Sequence, residues 1–258
     1  MGRGLAGRSG RHRGLMRRHG LAFAAAALLV AAGLQLWLCT QYVTIAPGWA
    51  RPASTLVRVG EERGGGNLLY VVVVARRANL VDVVRSWMDP SIEVRPIAGQ
   101  SARRLDWAGY ARWMQEMMEE SKAIAAAVAF RSLDYRIDLD ALATGDIGPV
   151  PVDFQDLGIV GASAGLMIAL EVFSQLTGEN LAAQPVAGTG VLEADGTVYP
   201  VDGIRQKIAT SLAAGAKVFL LPRGNLEEAL GMARKIRLIP VETFEEAVAA
   251  LRRLSAEE

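Results

Sequence analysis

The chain has 258 residues, 51% of them hydrophobic, with 28 basic and 27 acidic side chains and a formal net charge of +1. That composition excludes a disordered chain and predicts one or two folded domains with a real core. Arg3, Arg8, Arg11, Arg13, Arg17 and Arg18 all fall in the first twenty residues, leaving 22 basic against 27 acidic residues, so the mildly acidic remainder gives nucleic-acid binding no electrostatic support.

Residues 1–19 form a basic leader that holds both histidines of the chain, His12 and His19. Leu21 to Leu38 follows, 18 residues without a charge, just long enough to span a bilayer as a helix. A transmembrane anchor is expected over 20–39. Arginine on one flank, with Trp37 and Tyr42 near the other, puts the N-terminus in the cytoplasm and the remainder outside. The rival reading is a cleaved signal peptide, although the run exceeds the usual apolar region of ~7–15 residues. The only cysteine, Cys39, closes this run, so no internal disulfide can form.

Residues 40–138 read as a membrane-proximal α/β region. Residues 43 to 59 look extended, with Pro47 and Pro52 among them, and Glu61 to Gly66 form a turn. Asn67 to Ala75 (NLLYVVVVA) is a strongly β-branched run that predicts a strand buried on both faces. Asn79 can cap a short helix that stops before Pro90, and Ser91 to Ile97 is a further strand. The longest helical pattern runs from about 104 to 132, with Trp107, Tyr110, Met114, Met117 and Met118 near one stripe. Core packing or a partner face explains that stripe better than a cofactor box.

Residues 139–149 read as a linker and 150–258 as a second domain in which strands and helices alternate. Val150 to Leu157 is a strand, Ala164 to Leu176 a helix, and Pro185 to Leu192 a strand. An Asp195-Gly196 turn leads to Thr197–Val201. Gly203 to Ala214 is a helix closed by Gly215, and Lys217 to Leu221 a strand. Asn225 caps a helix reaching about Lys235, and Ile236 to Val241 is a strand. Thr243 with Glu246 makes a capping box for the last helix. The pattern predicts an α/β (α+β) fold, a mixed sheet with packed helices.

The chemistry concentrates in Gly161-Ala162-Ser163-Ala164-Gly165. The string fits the G-x-S-x-G elbow of α/β-hydrolases, but no histidine follows residue 19. A Ser-His-Asp triad, a Cys-His pair and a histidine-ligated metal are therefore excluded from this part of the chain, and neither metal nor cofactor is expected. The string also fits a serine at a helix N-terminus, where backbone N–H groups stabilise an oxyanion. Its base would then be a lysine. Four follow the apolar run: Lys122, Lys207, Lys217 and Lys235. Lys207 shares a helical face with Ile204, Ile208 and Ser211, where desolvation favours the neutral amine. The alternative is that Lys207 snorkels to water from a helix edge.

The stretch from Val150 to Leu251 resembles the proteolytic domain of Lon-type serine peptidases. The matching strings are Gly161-Ala-Ser-Ala-Gly-Leu166, Ala187-Gly-Thr-Gly190, Gly196-Thr-Val-Tyr-Pro-Val201, Gly203-Ile-Arg-Gln-Lys207 and Gly215-Ala-Lys-Val-Phe-Leu-Leu-Pro222. The resemblance implies a Ser-Lys dyad of Ser163 and Lys207, with Thr189 orienting the lysine. Amides around Ala162 to Ala164 would hold the oxyanion, and Gly161, Gly165, Gly188 and Gly190 are assigned to the substrate loops. Ala162 replaces the usual proline, and Asp202-Gly203 the usual glycine pair. Arg76 to Asp82, Trp87 and the helix through Met117 look like the membrane-proximal region of YlbL-type bacterial PDZ–Lon proteins, here without a recognisable PDZ domain.

No Walker-type loop occurs, so hydrolysis of polypeptide substrates without ATP is expected. The reading is a membrane-anchored endopeptidase acting on accessible extracytoplasmic chains. A homo-oligomer is allowed by analogy. A catalytically weak or inactive Lon-like scaffold at the membrane is the alternative.

Overall fold

A computed structural model describes residues 9–60, 66–97, 107–137 and 150–257. A helix α1 (Ser9–Gln41) leads directly into strand β1 (Tyr42–Pro52). Within α1, Leu21–Gln41 is long and apolar enough to cross a membrane. After β1 come β2 (Val57–Val59), β3 (Leu68–Arg77), α2 (Leu80–Met88), β4 (Glu93–Pro96) and the long helix α3 (Trp107–Arg131). The expected linker over 139–149 falls within 138–149, outside the described residues, as do residues 61–65 of the expected turn.

Beyond it lie β5 (Val152–Phe154), α4 (Gly165–Thr177), β6 (Val186–Gly188), β7 (Val191–Leu192), β8 (Val198–Tyr199) and α5 (Ile204–Ala213). The chain ends with β9 (Val218–Pro222), the single turn α6 (Leu226–Ala229), β10 (Arg237–Val241) and α7 (Phe244–Ala256). The mixed α/β class expected from the sequence is the class found.

Six strands form one sheet in the order β10-β9-β6-β3-β1-β4. The four strands from β10 to β3 run parallel, whereas β1 is antiparallel to both β3 and β4. Strands from either side of 138–149 therefore share backbone hydrogen bonds, through the pairing of β3 with β6.

The alternation of β3 sorts the core into two layers. Leu68 and Tyr70 join the layer beneath α4 and α7, with Val186, Leu220 and Phe244. Leu69 and Val71 join the other layer, with Ile204 and Ile208 of α5, Ala187 and Phe219. Only the first half of β3 is buried on both faces; Val74 is exposed. The parallel strands need helical crossovers, and α5 supplies one of them between β6 and β9.

Local chemistry explains most element boundaries. Asn79 accepts from the Asp82 amide at 2.9 Å, and Asp82 accepts from the Asn79 amide at 3.2 Å, a complete capping box for α2. Thr243 caps α7 by accepting from Glu246, but the Glu246 carboxylate takes the Glu242 amide instead of closing the box.

Two expectations are corrected. Residues 185–192, expected as one strand, divide into β6 and β7, which belong to different sheets. The Thr189 amide still donates to Leu220, but Gly190 turns to bond the Ser163 carbonyl. The helix expected from Asn225 to Lys235 is only one α-turn followed by the 3-10 turn Leu230–Met232. Asn225 itself has helical dihedrals and makes no cap; its amide bridges the N–H and C=O of Val201 at 2.8 and 3.0 Å.

Candidate active site

Helices α4 and α5 pack on opposite faces of the sheet, and their N-terminal ends converge beyond β6. Ser163 lies in the 3-10 turn Ala162–Ala164, which feeds straight into α4. Gly161 opens that turn at φ 92°, a left-handed backbone that favours glycine. Neither Gly161 nor Ala164 supplies a side-chain cap. The amides of this first turn precede any acceptor inside the helix, and the dipole adds positive potential there. An incipient oxyanion beside Ser163 fits such a setting.

Helix α3 fixes the turn from below. The Gly161 amide donates to the Met114 carbonyl at 2.8 Å, and the buried Ser121 hydroxyl donates to the Ala162 carbonyl at 3.1 Å. From above, the Gly190 amide and the Thr189 hydroxyl both donate to the Ser163 carbonyl at 2.9 Å. The Leu166 amide returns a bond to Gly190 at 3.2 Å. Ser163 is half-buried, so its hydroxyl is held at the surface of a turn pinned from both sides.

Lys207 enters from α5. Gly203, at φ 74°, sets the helix start, and Ile204, Lys207, Ile208 and Ser211 all face inward as the spacing predicts. Lys207 is 3% exposed, which removes the snorkelling alternative. Its Nζ donates to Thr189 Oγ1 at 3.0 Å. Burial pushes its ammonium down from 10.5 to about 8, against the opposing pull of Asp202 and Glu228. A partly neutral amine at ordinary pH is therefore available one hydroxyl away from the Ser163 backbone. The described hydrogen bonds do not include one between Lys207 Nζ and Ser163 Oγ.

Gly161, Gly165, Gly188 and Gly190, assigned by resemblance to substrate loops, are all buried. A Cβ at each would meet Met114 Cε at 2.7 Å, Ser121 Oγ at 2.7 Å, Met167 Sδ at 2.5 Å and Val198 Cγ1 at 2.7 Å respectively. Close packing of the site's own walls occupies these positions.

Sequence reasoning missed Ser121 and the ion pair Arg95–Asp202, which ties β4 to the loop before α5 at 2.8 Å; it named Met114 in the packing stripe but did not tie it to the Ser163 turn. Extending the stripe of Met114 by one more seven-residue step would have reached Ser121. Lys122, assigned no role, is also buried, paired with Glu119 at 2.8 Å. Among the described residues no cluster of His, Cys, Asp or Glu could hold a metal.

The model of the Lon protease (S16) C-terminal proteolytic domain matches residues 91–252. The chain belongs to that family. It is 31% identical over 154 residues to the Lon protease of Chloroflexus aggregans, covering 57% of this chain and 17% of that protein. Against the Lon protease of Azorhizobium caulinodans it is 33% identical over 122 residues, 45% of this chain and 13% of the relative. Against the archaeal Lon protease of Archaeoglobus fulgidus it is 40% identical over 73 residues, 28% of this chain and 12% of the relative. The chain thus spans less than a fifth of the length of these relatives, and the family match begins well upstream of Ser163.

Proposed function

We propose that the protein is a membrane-anchored serine endopeptidase that uses Ser163 and Lys207 as a dyad and needs no ATP. The observation that carries this reading is the buried Lys207 amine, bonded to Thr189, whose hydroxyl is in turn bonded to the Ser163 carbonyl. Ser163 Oγ attacks the scissile carbonyl while its proton passes to neutral Lys207. Amides around Ala162 to Ala164 receive the oxyanion. The lysine then returns the proton to the leaving amine, and water completes deacylation by the same route. Thr189 holds the amine in register.

The substrates are accessible or unfolded polypeptides outside the cytoplasm. Residues 20–39 form the anchor, and the arginine-rich leader stays in the cytoplasm. Residues 40–138, the membrane-proximal region, and 150–258, the protease domain, then stand outside together, with strands of both in the one six-stranded sheet. ATP independence is supported by the lack of a Walker-type loop in these 258 residues. Assembly into a homo-oligomer belongs to the same reading by analogy alone.

The test is cleavage of an unfolded protein by the full chain in detergent. Ser163→Ala and Lys207→Ala should each abolish it; activity surviving in both would overturn the dyad. A second reading, a catalytically weak scaffold, is favoured by one observation: Lys207 bonds Thr189 and not the Ser163 hydroxyl. Labelling of Ser163 by a fluorophosphonate probe separates the two, since an inert serine does not react.

A further inference from the structure

Helix α2 leaves a contiguous apolar arc uncovered. Val81, Val84, Trp87 and Met88 are 65%, 52%, 82% and 77% exposed. With Leu80 they occupy one side of the helix by i, i+3, i+4 and i+7 spacing. The opposite side is committed to the fold. Asp82 is buried there, accepting from Thr44 Oγ1 at 2.9 Å and from both Arg76 guanidinium nitrogens. Two adjacent large side chains, Trp87 and Met88, standing almost free in water are costly for a helix held this firmly.

The position of α2 indicates what covers that arc. The Leu80 amide donates to Gln35 Oε1 at 3.0 Å, so α2 begins against α1 six residues before that helix ends. Gln35 lies inside the apolar stretch Leu21–Gln41. Just before α2, Arg77 Nη1 donates to the Cys39 carbonyl at 3.1 Å. The N-terminal end of α2 is therefore fixed at the depth of the last turns of the apolar helix, and Leu80, on the apolar arc, is the residue at that junction. Trp37 of α1 is 51% exposed and packs on Tyr42 at 5.3 Å. Arg85 flanks the exposed arc on α2. Amphipathic rings and arginine beside an apolar surface match the headgroup level of a bilayer.

We infer that α2 is a second membrane contact, an interfacial helix whose Val81, Val84, Trp87 and Met88 face enters the outer headgroup and upper acyl region beside α1. This rests on the anchor reading of α1. The consequence is mechanical: one helix fixes depth, and a second on the same sheet edge prevents rotation about it. The sheet, and the Ser163 turn with it, would be held at a set orientation to the bilayer.

The test uses the full chain carrying Cys39→Ser, with single cysteines at Trp87→Cys, Met88→Cys or, as a control, Arg253→Cys. Arg253 is exposed on α7, which packs beside β10 at the far sheet edge from β4. Each protein is labelled with a polarity-sensitive fluorophore and reconstituted into phosphatidylcholine–phosphatidylglycerol vesicles with or without lipids carrying a shallow nitroxide quencher. Vesicle flotation reports the anchor independently. The expected result is co-flotation, blue-shifted emission at 87 and 88 that the nitroxide quenches severalfold, and no quenching at 253. Co-flotation with unquenched labels at 87 and 88 would overturn the inference and leave the anchor intact. Labels shielded only as protein density in the vesicles rises would assign the face to a second copy, which also overturns it. Failure to float would remove the anchor itself, and the inference with it.

Discussion

Lys207 Nζ and Thr189 Oγ1 lie 3.0 Å apart, and the same hydroxyl donates to the Ser163 carbonyl at 2.9 Å. One small side chain thus links the two helices that approach from opposite faces of the sheet. Thr189 is 1% exposed, so water cannot replace it without a cavity. Thr189→Val removes both bonds at nearly constant volume, whereas Thr189→Ser retains them. General base catalysis contributes ~10²–10⁴-fold, and misaligning the base should forfeit about a tenfold to hundredfold share in kcat. The serine variant should stay close to wild type. Steady-state cleavage of a quenched peptide by the three proteins checks this; equal kcat in the valine variant would exclude an orienting role.

The ionisation of Lys207 sets a pH profile. Its value near 8 means the amine is mostly protonated at neutral pH and becomes a competent base as pH rises. The expected kcat/KM rises through an apparent pKa close to 8 and then levels off. Asp202 holds that value up, so Asp202→Asn should move the midpoint to lower pH. A profile flat from neutral to mildly alkaline pH would exclude Lys207 as the titrating base.

The same burial costs stability. A lysine that titrates at about 8 when folded and at 10.5 when unfolded disfavours folding by roughly 3 kcal/mol at neutral pH. The sign follows from proton binding. Between those two values the unfolded chain binds more protons, so stability rises with pH across that window. Lys207→Met should abolish cleavage yet raise the melting temperature at neutral pH, with the gain shrinking as pH approaches 10.5. Thermal melts of both proteins in detergent across that range provide the measurement. A variant less stable than wild type at neutral pH would show that the lysine packs without strain.

The Ser163 turn depends on helix α3 as well. Ser121→Ala removes one of two bonds to the Ala162 carbonyl, which keeps its bond from the Gly165 amide, a loss of about 0.5–1.5 kcal/mol. Gly161→Ala forces a side chain onto φ 92° and against Met114 Cε, with a strain of order 1–3 kcal/mol. Both should lower kcat more than they change KM, because the nucleophile is displaced while the rest of the site remains. Ser121→Cys, which retains a weak donor, should recover part of the loss. Kinetics paired with melts distinguish this from simple unfolding.

Much of the site was legible in the sequence because its parts are local. A small-residue turn, a helix start and an amine on an apolar helical face each carry a short-range signature, as Ser163, Gly203 and Lys207 do. The caps at Asn79 and Thr243 were legible for the same reason. The remainder depends on distant partners. Residues 185–192 contain no charge to mark a break, and the Ser163 carbonyl, twenty-seven residues from Gly190, divides them. Asn225 has the identity of a cap but is used by Val201. Ser121 sits in mid-helix, where a hydroxyl is unremarkable until the opposing turn is known. The sheet order, which joins β3 to β6 across more than a hundred residues, has no local trace either.

Glu171 supplies a stability signal independent of the dyad. It is 1% exposed in α4, and burial pushes its carboxyl up from 4.5, with the Gln175 amide donating at 2.8 Å and partly opposing the shift. A carboxyl with a raised folded value binds its proton more tightly than the unfolded chain does. Its penalty is absent below the unfolded value and grows as pH rises toward the folded one. Glu171→Gln keeps the shape and an acceptor for Gln175 but has no charge to bury. The variant should match wild type in stability below about pH 4.5 and exceed it increasingly at neutral pH. Cleavage at neutral pH should be unchanged once both proteins are folded. Melting curves at acidic and neutral pH would test this; a variant destabilised at neutral pH would mean that the ionised carboxylate is itself stabilising there.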